Sequence, residues 1–252
     1  MIDPTASVDP TAWIHPTAVV GAHSRIGPGC RLEAYAVVGP HTELGPHCHV
    51  FSFAAVGGPA QDRKTAPDAP FRLVCGAHNI FREGSTVSRG TEHGGGETRL
   101  GDHTLLMAHS HVGHDCRVGH RCTLANGVSL AGHVEVGDGV TLGGHAGVHQ
   151  FARIGDLAFI AANAMISLDI PPYTLAAGDR ARLLGLNRVG LERAGLTAET
   201  RAALEAAFRL VFRGVGGRRR AAELLESPVP EVVNLGRFVV ESKRGVTRVG
   251  RA

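Results

Sequence analysis

Four histidines and one aspartate fall within the twelve residues HSHVGHDCRVGH at 109–120, interleaved with Val-Gly pairs. Imidazole takes and returns protons near neutral pH, its ordinary pKa being ~6.5, and its ring nitrogens also ligate metals. A carboxylate beside it, as in His114-Asp115-Cys116, can orient the ring or polarise it. The cluster is therefore a proton-transfer site, a metal site or the decoration of a repeat. Which one holds depends on the elements that carry it.

Those elements announce themselves as a ruler of six. An aliphatic residue recurs at Ile2, Val8, Ile14, Val20 and onward to Val56, touches Cys75, Phe81 and Val87, then runs from Leu100 to Ile166. Of these 25 rungs, 23 are Ile, Leu or Val. A period of six is neither 3.6 nor 2, which excludes an amphipathic helix and a hairpin meander, and it matches the hexapeptide form of the parallel β-helix. Three hexads make one eighteen-residue coil, with coils stacked at ~4.8 Å. The glycine that often follows a rung, as at Gly21, Gly27, Gly113 and Gly119, is read as the supplier of positive φ at each bend.

Residues eighteen apart then share an address on successive coils. His114, Gly132 and Gln150 each stand two after a rung and should form a column, with His133 and His149 one residue to either side. Histidines elsewhere, such as His15, His23, His41, His47 and His49, read as solvated decoration. Two places break the ruler by one extra residue each, at about 57–74 and 88–99, and loops on a rigid solenoid are expected binding elements. Cys30, Cys48, Cys116 and Cys122 lie four after a rung, where small residues recur, so they read as reduced packing residues rather than a disulfide framework.

The ruler is expected to end at Ile170-Pro171-Pro172-Tyr173, where two prolines cannot continue a ladder. This gives a β-helix over 1–173 and a C-terminal α-helical domain over 174–252. The pattern turns helical from Leu183; Leu204, Phe208 and Val211 line one face of a helix that Gly214 stops, and a last helix spans Glu231 to Lys243. Fifteen Lys or Arg stand against seven Glu from Arg180 onward, although the whole chain carries only +3. That surplus favours an acidic partner for the tail. No run reaches the ~18 apolar residues of a spanning helix and the opening MIDPTASVDP lacks a signal-peptide plan, so a cytoplasmic protein is expected.

The hexads, AQDRK, LLMAHSHVGHDCRVGHRCTLAN, LAGHVEVGD, GGHAGVHQF, DIPPYTLAAGDRARLLGLNRVGLERAG and the helical tail together resemble the acyl-carrier-protein-dependent UDP-N-acetylglucosamine O-acyltransferases of lipid A biosynthesis. The resemblance spans nearly the whole chain. It implies a left-handed parallel β-helix, mainly β, and a homotrimer with active sites between neighbouring solenoids. It implies transfer of an (R)-3-hydroxyacyl chain from acyl carrier protein to the 3-hydroxyl of UDP-N-acetylglucosamine, with no metal and no soluble cofactor. His114 matches the family's general base, Asp115 would orient it, and the backbone N–H of Gly132 matches the oxyanion donor. The nucleotide sugar would lie against Asp62, His133, His149, Gln150, Asn187 and Arg193, with Lys64, His111 and Ser88 near the substrate channel. Ala162 occupies the position associated with acyl-chain length, and Arg218, Arg219 and Arg220 would dock the acidic carrier protein. Ser88 stands where relatives often have His and Ala194 where a second Arg is common. Acyl length, and a 3-hydroxyl against a 3-amino acceptor, stay open.

Two other solenoid families compete for the same residues. A γ-type carbonic anhydrase would place zinc on three histidines, and the spacing of five between His109 and His114 suits it, but the helical tail and AQDRK do not. The N-acyltransferase that acts later in the same pathway carries a uridine-binding domain ahead of its hexads, whereas here the hexads start at Ile2.

Overall fold

The computed structural model describes residues 1–66 and 68–250. Most strands are two residues long, with the rung pointing inward and its neighbour outward, as in Arg25–Ile26, Arg31–Leu32 and Val37–Val38. They stack into three sheets of 8, 10 and 8 strands, parallel except for the last strand of the ten, that the chain visits in rotation, making a triangular prism. Val112 pairs with Leu130 and Leu130 with Val148, so the register advances eighteen residues per coil. Sheet 1 begins with Ser7–Val8, sheet 2 contains Trp13–Ile14 and sheet 3 contains Val19–Val20.

The rungs fill the prism. Those from Val20 to Val50 are each at most 3% exposed, and from Leu100 to Ile166 none exceeds 4%. Burying each such side chain contributes about 1.5–3 kcal/mol, repeated along the whole axis. Cys30, Cys48, Cys116 and Cys122 are buried free thiols at the inner corners, each donating to a carbonyl of the next coil, as Cys116 Sγ does to Ala131 O at 3.1 Å. The Arg72–Cys75 strand pairs back onto Thr42–Leu44, so the first loop bulges outward and leaves the register intact.

The glycine after each rung has a different task from the one expected. None of Gly21, Gly27, Gly113 or Gly119 has positive φ. A Cβ on Gly21 would meet Pro40 N at 2.6 Å and one on Gly113 would meet Ala131 C at 2.8 Å. They are glycine because the next coil's backbone lies against them. The left-handed residue comes two positions later, and His23, His41, His47, His78, His103, His109, His133 and His145 all stand there with φ between 55° and 62°. His and Asp tolerate that conformation better than most side chains. This accounts for eight of the fifteen histidines, several of them stacked, as His47 on His78 and His78 on His103 with centroids 4.9 and 4.6 Å apart.

The prolines do not end the ladder. Pro172 sits at a corner over Gly155, where no ladder N–H is required, and Thr174–Ala177 continues in parallel beside Phe159–Ile160. The ladder ends one strand later, when Arg182–Leu186 turns back antiparallel and closes the last coil. Leu183 therefore opens no helix; it is a buried strand residue. Helices follow as α1 (Arg188–Arg193), α2 (Ala198–Phe208), α3 (Gly217–Glu223) and α4 (Pro230–Glu241). Thr197 caps α2 through Oγ1, and its chain widens into a π-turn over Arg209–Arg213 before Gly214. Leu204, Phe208 and Val211 are buried as the pattern requires. Segment 242–250 then folds back onto the prism, with Val246 bridging to Asp169 and Val249 to Leu183.

Candidate active site

Each coil has three corners, and their occupants decide what meets what. His114 follows the sheet-3 strand His111–Val112 and precedes the sheet-1 strand Arg117–Val118, so it stands at the corner between sheets 3 and 1. His133 and the pair His149-Gln150 occupy that corner on the next two coils. His109 and Ala162 lie at the corner between sheets 2 and 3. His109 and His114 thus do not converge within one chain, contrary to what three-histidine zinc ligation by this pair would need.

Within the corner the contacts are close. His114 Nδ1 lies 2.7 Å from Asp115 Oδ2, a bond between sequence neighbours made possible because Asp115 has φ of 60° and curls its carboxylate back. The Asp115 side chain is wholly buried and that of His114 is 18% exposed. Asp115 is held from three directions. Thr91 donates its N–H to Oδ1 at 2.8 Å and its hydroxyl to Oδ2 at 2.6 Å, and the Asp115 N–H donates to Thr98 Oγ1 at 2.7 Å. A Cβ on Gly94 would fall 1.9 Å from the Asp115 carboxyl carbon, so only glycine lets the second loop press against it. Buried anions persist where donors meet them in this way.

The carboxylate bonds Nδ1, so the N–H of His114 belongs on that nitrogen and Nε2 carries a lone pair. The ring lies over the next coil: a Cβ on Gly132 would meet His114 Cε1 at 2.6 Å and Nε2 at 2.7 Å. No described acceptor is bonded to the Gly132 N–H. At the corner between sheets 1 and 2 the equivalent N–H groups are taken, His120 N by Asp138 Oδ1 and Asp138 N by Asp156 Oδ1. A proton acceptor and an unpaired backbone donor therefore stand side by side.

His133 meets His114 edge-on at 5.0 Å between centroids, stacks on Phe151 at 4.4 Å and has Nε2 3.8 Å from Asp115 Oδ2. Burial pushes its pKa below the usual histidine value; the Asp115 and Asp62 carboxylates oppose that and the His114 ring reinforces it. Asp62 in the first loop is thus within electrostatic reach of the corner. Its Oδ1 accepts the Lys64 N–H at 3.1 Å, so both loop residues belong to one turn. His111 Nδ1 is 2.7 Å from Thr86 Oγ1, and its pKa is likewise lowered, first by burial and then by His114. Ser88 is buried at the end of the sheet-3 strand Thr86–Ser88, beside the His111 coil.

Two cavities adjoin the corner. One of about 500 Å³ runs over sheet 3 from His111 past Ser129 and Gly147 to Met165, with His149 on its rim. The Met165 sulfur lies over Gly147, where a Cβ would be only 2.7 Å away. The other, about 780 Å³, is bounded by His133, Phe151, Lys243 and Arg244. His149 and Gln150 are exposed, and both are contacted by Arg244.

Other sequence-derived candidates are not brought to this corner. Asn187 heads α1: its Oδ1 accepts from Gly190 N at 3.1 Å and its Nδ2 donates to Leu157 O at 2.9 Å, at the corner between sheets 1 and 2. Arg193 ends α1 and is exposed, with Ala194 as the following cap. Ala162 is exposed on a late coil, across sheet 3 from the His114 corner. Three residues that hold the site escaped the sequence reading: Thr91, Thr98 and Arg244. Thr91 lies in a loop already marked as an interruption, the only signal for it.

His114, Asp115 and His133 are also the one group of His, Cys, Asp or Glu among the described residues whose ligand atoms lie within 4.8 Å of one another. Asp115 Oδ2 already accepts from Thr91 and His114, so the donor set is spent on itself and does not fit a metal without rearrangement.

Residues 169–247 match the family model described as UDP-N-acetylglucosamine O-acyltransferase, domain 2, and residues 97–132 match that of the bacterial transferase hexapeptide. The chain is 44% identical over 182 residues to the acyl-[acyl-carrier-protein]–UDP-N-acetylglucosamine O-acyltransferase of Anaeromyxobacter sp. (strain Fw109-5), covering 71% of each. Against the protein of that name from Myxococcus xanthus (strain DK1622) it is 48% identical over 191 residues, 75% of this chain and 74% of the other. Solved structures agree: UDP-N-acetylglucosamine O-acyltransferase from Moraxella catarrhalis RH4 superposes with TM-score 0.86 at 37% identity, covering 98% of this chain and 99% of that one. The UDP-N-acetylglucosamine acyltransferase from Campylobacter jejuni gives 0.86 at 35% identity with both chains fully covered.

Proposed function

Because the chain belongs to the acyl-carrier-protein-dependent UDP-N-acetylglucosamine O-acyltransferases, we propose that it moves an (R)-3-hydroxyacyl chain onto the sugar 3-hydroxyl with His114 as the general base. A sugar hydroxyl is a poor nucleophile near neutrality. His114 Nε2 takes its proton as the oxygen attacks the thioester carbonyl, and the imidazolium that forms is steadied by the buried Asp115. The carbonyl oxygen becomes an oxyanion, and the unpaired N–H of Gly132 is the donor for it. Collapse breaks the C–S bond; the thiolate leaves on the carrier's pantetheine arm and takes the proton back from His114. Every atom is accounted for without a cofactor.

The observation that carries this reading is the 2.7 Å bond from His114 Nδ1 to the Asp115 carboxylate, which Thr91 holds while Thr98 fixes the Asp115 backbone, leaving Nε2 as the acceptor. The acyl chain has a place in the cavity over sheet 3, next to His111. Asp62, Lys64, His133, His149 and Gln150 serve the nucleotide sugar at and around the same corner. Asn187 and Arg193 project from a different corner of their own prism, so they reach His114 only from a neighbouring solenoid, which favours a homotrimer with shared sites. Arg218 and Arg219, exposed at the start of α3, with Arg220 beside them paired to Glu223, offer positive charge to the acidic carrier protein. Among the described residues no helix is long and apolar enough to cross a membrane. Both substrates are charged and water-soluble, which supports a reaction in the cytoplasm as an opening step of lipid A biosynthesis. The Met165 side chain lines the far side of the acyl cavity, and Ala162, at the corner beyond that wall, is the position that sets the chain length accepted.

Replacing His114 by Ala tests the central role. Turnover is expected to fall by at least ~10²-fold, with unchanged circular dichroism and oligomeric size. Near-normal kcat in a folded His114→Ala protein overturns the reading.

A further inference from the structure

Arg244 reaches the proposed catalytic corner from the far end of the chain and bonds groups there. Its guanidinium donates through Nε to Ser167 O at 2.6 Å and through Nη1 to Gln150 O at 2.9 Å, and its Nη2 lies 2.8 Å from His149 Nδ1. The turn that delivers it is pinned. Ser242 Oγ donates to the buried Asp169 carboxylate at 2.7 Å and accepts the Gly245 N–H at 3.0 Å, while Asp169 N–H donates to Gly245 O and Thr247 N–H to Asp169 O. An arginine held by a closed turn and bound to three separate groups is a fixed part of the corner.

The chemistry of the contact decides the state of His149. Guanidinium has five N–H donors and no acceptor, so a 2.8 Å approach to Nδ1 needs a lone pair there. A proton on Nδ1 would set two donors against each other. Gln150 O also lies 3.1 Å from Nδ1 and by itself would invite an N–H on that nitrogen, but this carbonyl already receives Nη1 of Arg244. Both contacts of the guanidinium are satisfied together only by the neutral ring with its proton on Nε2. No described group bonds Nε2, and His149 lines the cavity over sheet 3.

We infer that Arg244 is a positioning residue that holds His149 as the Nε2–H tautomer, so that His149 meets the substrate as a neutral hydrogen-bond donor to an oxygen of the nucleotide sugar. The inference rests on the proposed placement of the nucleotide sugar against His149. It assigns work to a residue 95 positions away in sequence, outside both loops and the hexads.

Two-bond proton–nitrogen spectra of the full-length ¹⁵N-labelled protein, with the His149 signals identified by their loss in His149→Gln, read the tautomer directly. The wild-type ring is expected to show Nδ1 unprotonated. In Arg244→Ala the proton moves to Nδ1, towards Gln150 O, and KM for UDP-N-acetylglucosamine rises about tenfold, the loss of one hydrogen bond, with kcat changed less than about twofold on the same scale. Arg244→Lys, which keeps charge and a donor, lies between the two and serves if the alanine variant does not fold. A wild-type Nδ1–H ring, or the same tautomer and KM in Arg244→Ala as in wild type, overturns the proposal. His149→Ala separates the two readings: an unchanged KM there defeats His149 as a substrate contact, whereas an unchanged tautomer in Arg244→Ala defeats the role of the arginine.

Discussion

Asp115→Asn removes a charge while keeping the shape of the side chain, and the bonds around it dictate the consequence. The amide oxygen can take the place of Oδ1 and go on accepting the Thr91 N–H, so the loop stays attached. The amide NH2 then stands where Oδ2 was, 2.7 Å from His114 Nδ1. A donor facing Nδ1 demands a lone pair there and sends the ring proton to Nε2. In the proposed mechanism that is the nitrogen that accepts from the sugar. The Thr91 hydroxyl can rotate to accept from the new amide, so the fold loses little. What is lost is the proposed general base, a role worth about 10²–10⁴ in rate, or about 2.7–5.4 kcal/mol of barrier at 1.36 kcal/mol per tenfold. The assay is single-turnover acyl transfer from hydroxyacyl carrier protein to UDP-N-acetylglucosamine, so that product release does not mask the chemical step. A folded Asp115→Asn protein within about threefold of wild type in that step would refute the claim that the carboxylate fixes the tautomer of His114.

Gly132→Ala puts a methyl 2.6 Å from His114 Cε1 on a backbone whose φ any residue can adopt. We expect kcat to drop at least about tenfold by displacing the ring, while the melting temperature moves little; a fully active alanine variant would show that the ring need not lie there. The lowered pKa of His133 makes stability depend on pH. Its imidazole stays neutral in the folded protein at values where the unfolded chain, near 6.5, already binds a proton. The unfolded state then holds more protons, so stability is full above 6.5 and declines as pH falls from there towards the lowered value. His133→Gln should flatten that decline in thermal melts between about pH 7 and 5, and identical slopes for the two proteins would count against it.

The prism was legible because its signal repeats: a rung every sixth residue survives any single exception, and Cys75 and Phe81 cost the pattern nothing. The corner holding His114 followed from arithmetic on the same period. Local backbone chemistry was read less well. The post-rung glycines resemble turn residues in sequence, yet their task is to admit the next coil, and histidine is the most frequent residue at the left-handed positions, a choice visible only once the corner is built. Pro171 and Pro172 looked like a stop because a ladder strand was assumed where a corner stands. Thr91 and Arg244 carry no periodic mark at all, and Thr98 shares only the small-residue phase of Cys116 and Cys122. Their partners lie 17 to 95 residues away, and contacts of that kind are properties of the fold rather than of any segment.

The fixed circuit of eighteen residues also governs how such a molecule can change length. A deletion of six would turn every later side chain by one face, carrying His133 to a corner without Asp115 and swapping the surroundings of His114 for those of a neighbouring wall. Removal or duplication of one whole circuit would merely shorten or extend the column by a single storey. Evolution of this architecture is therefore quantised, and the outward loops, which alone escape the count, are where smaller edits can accumulate.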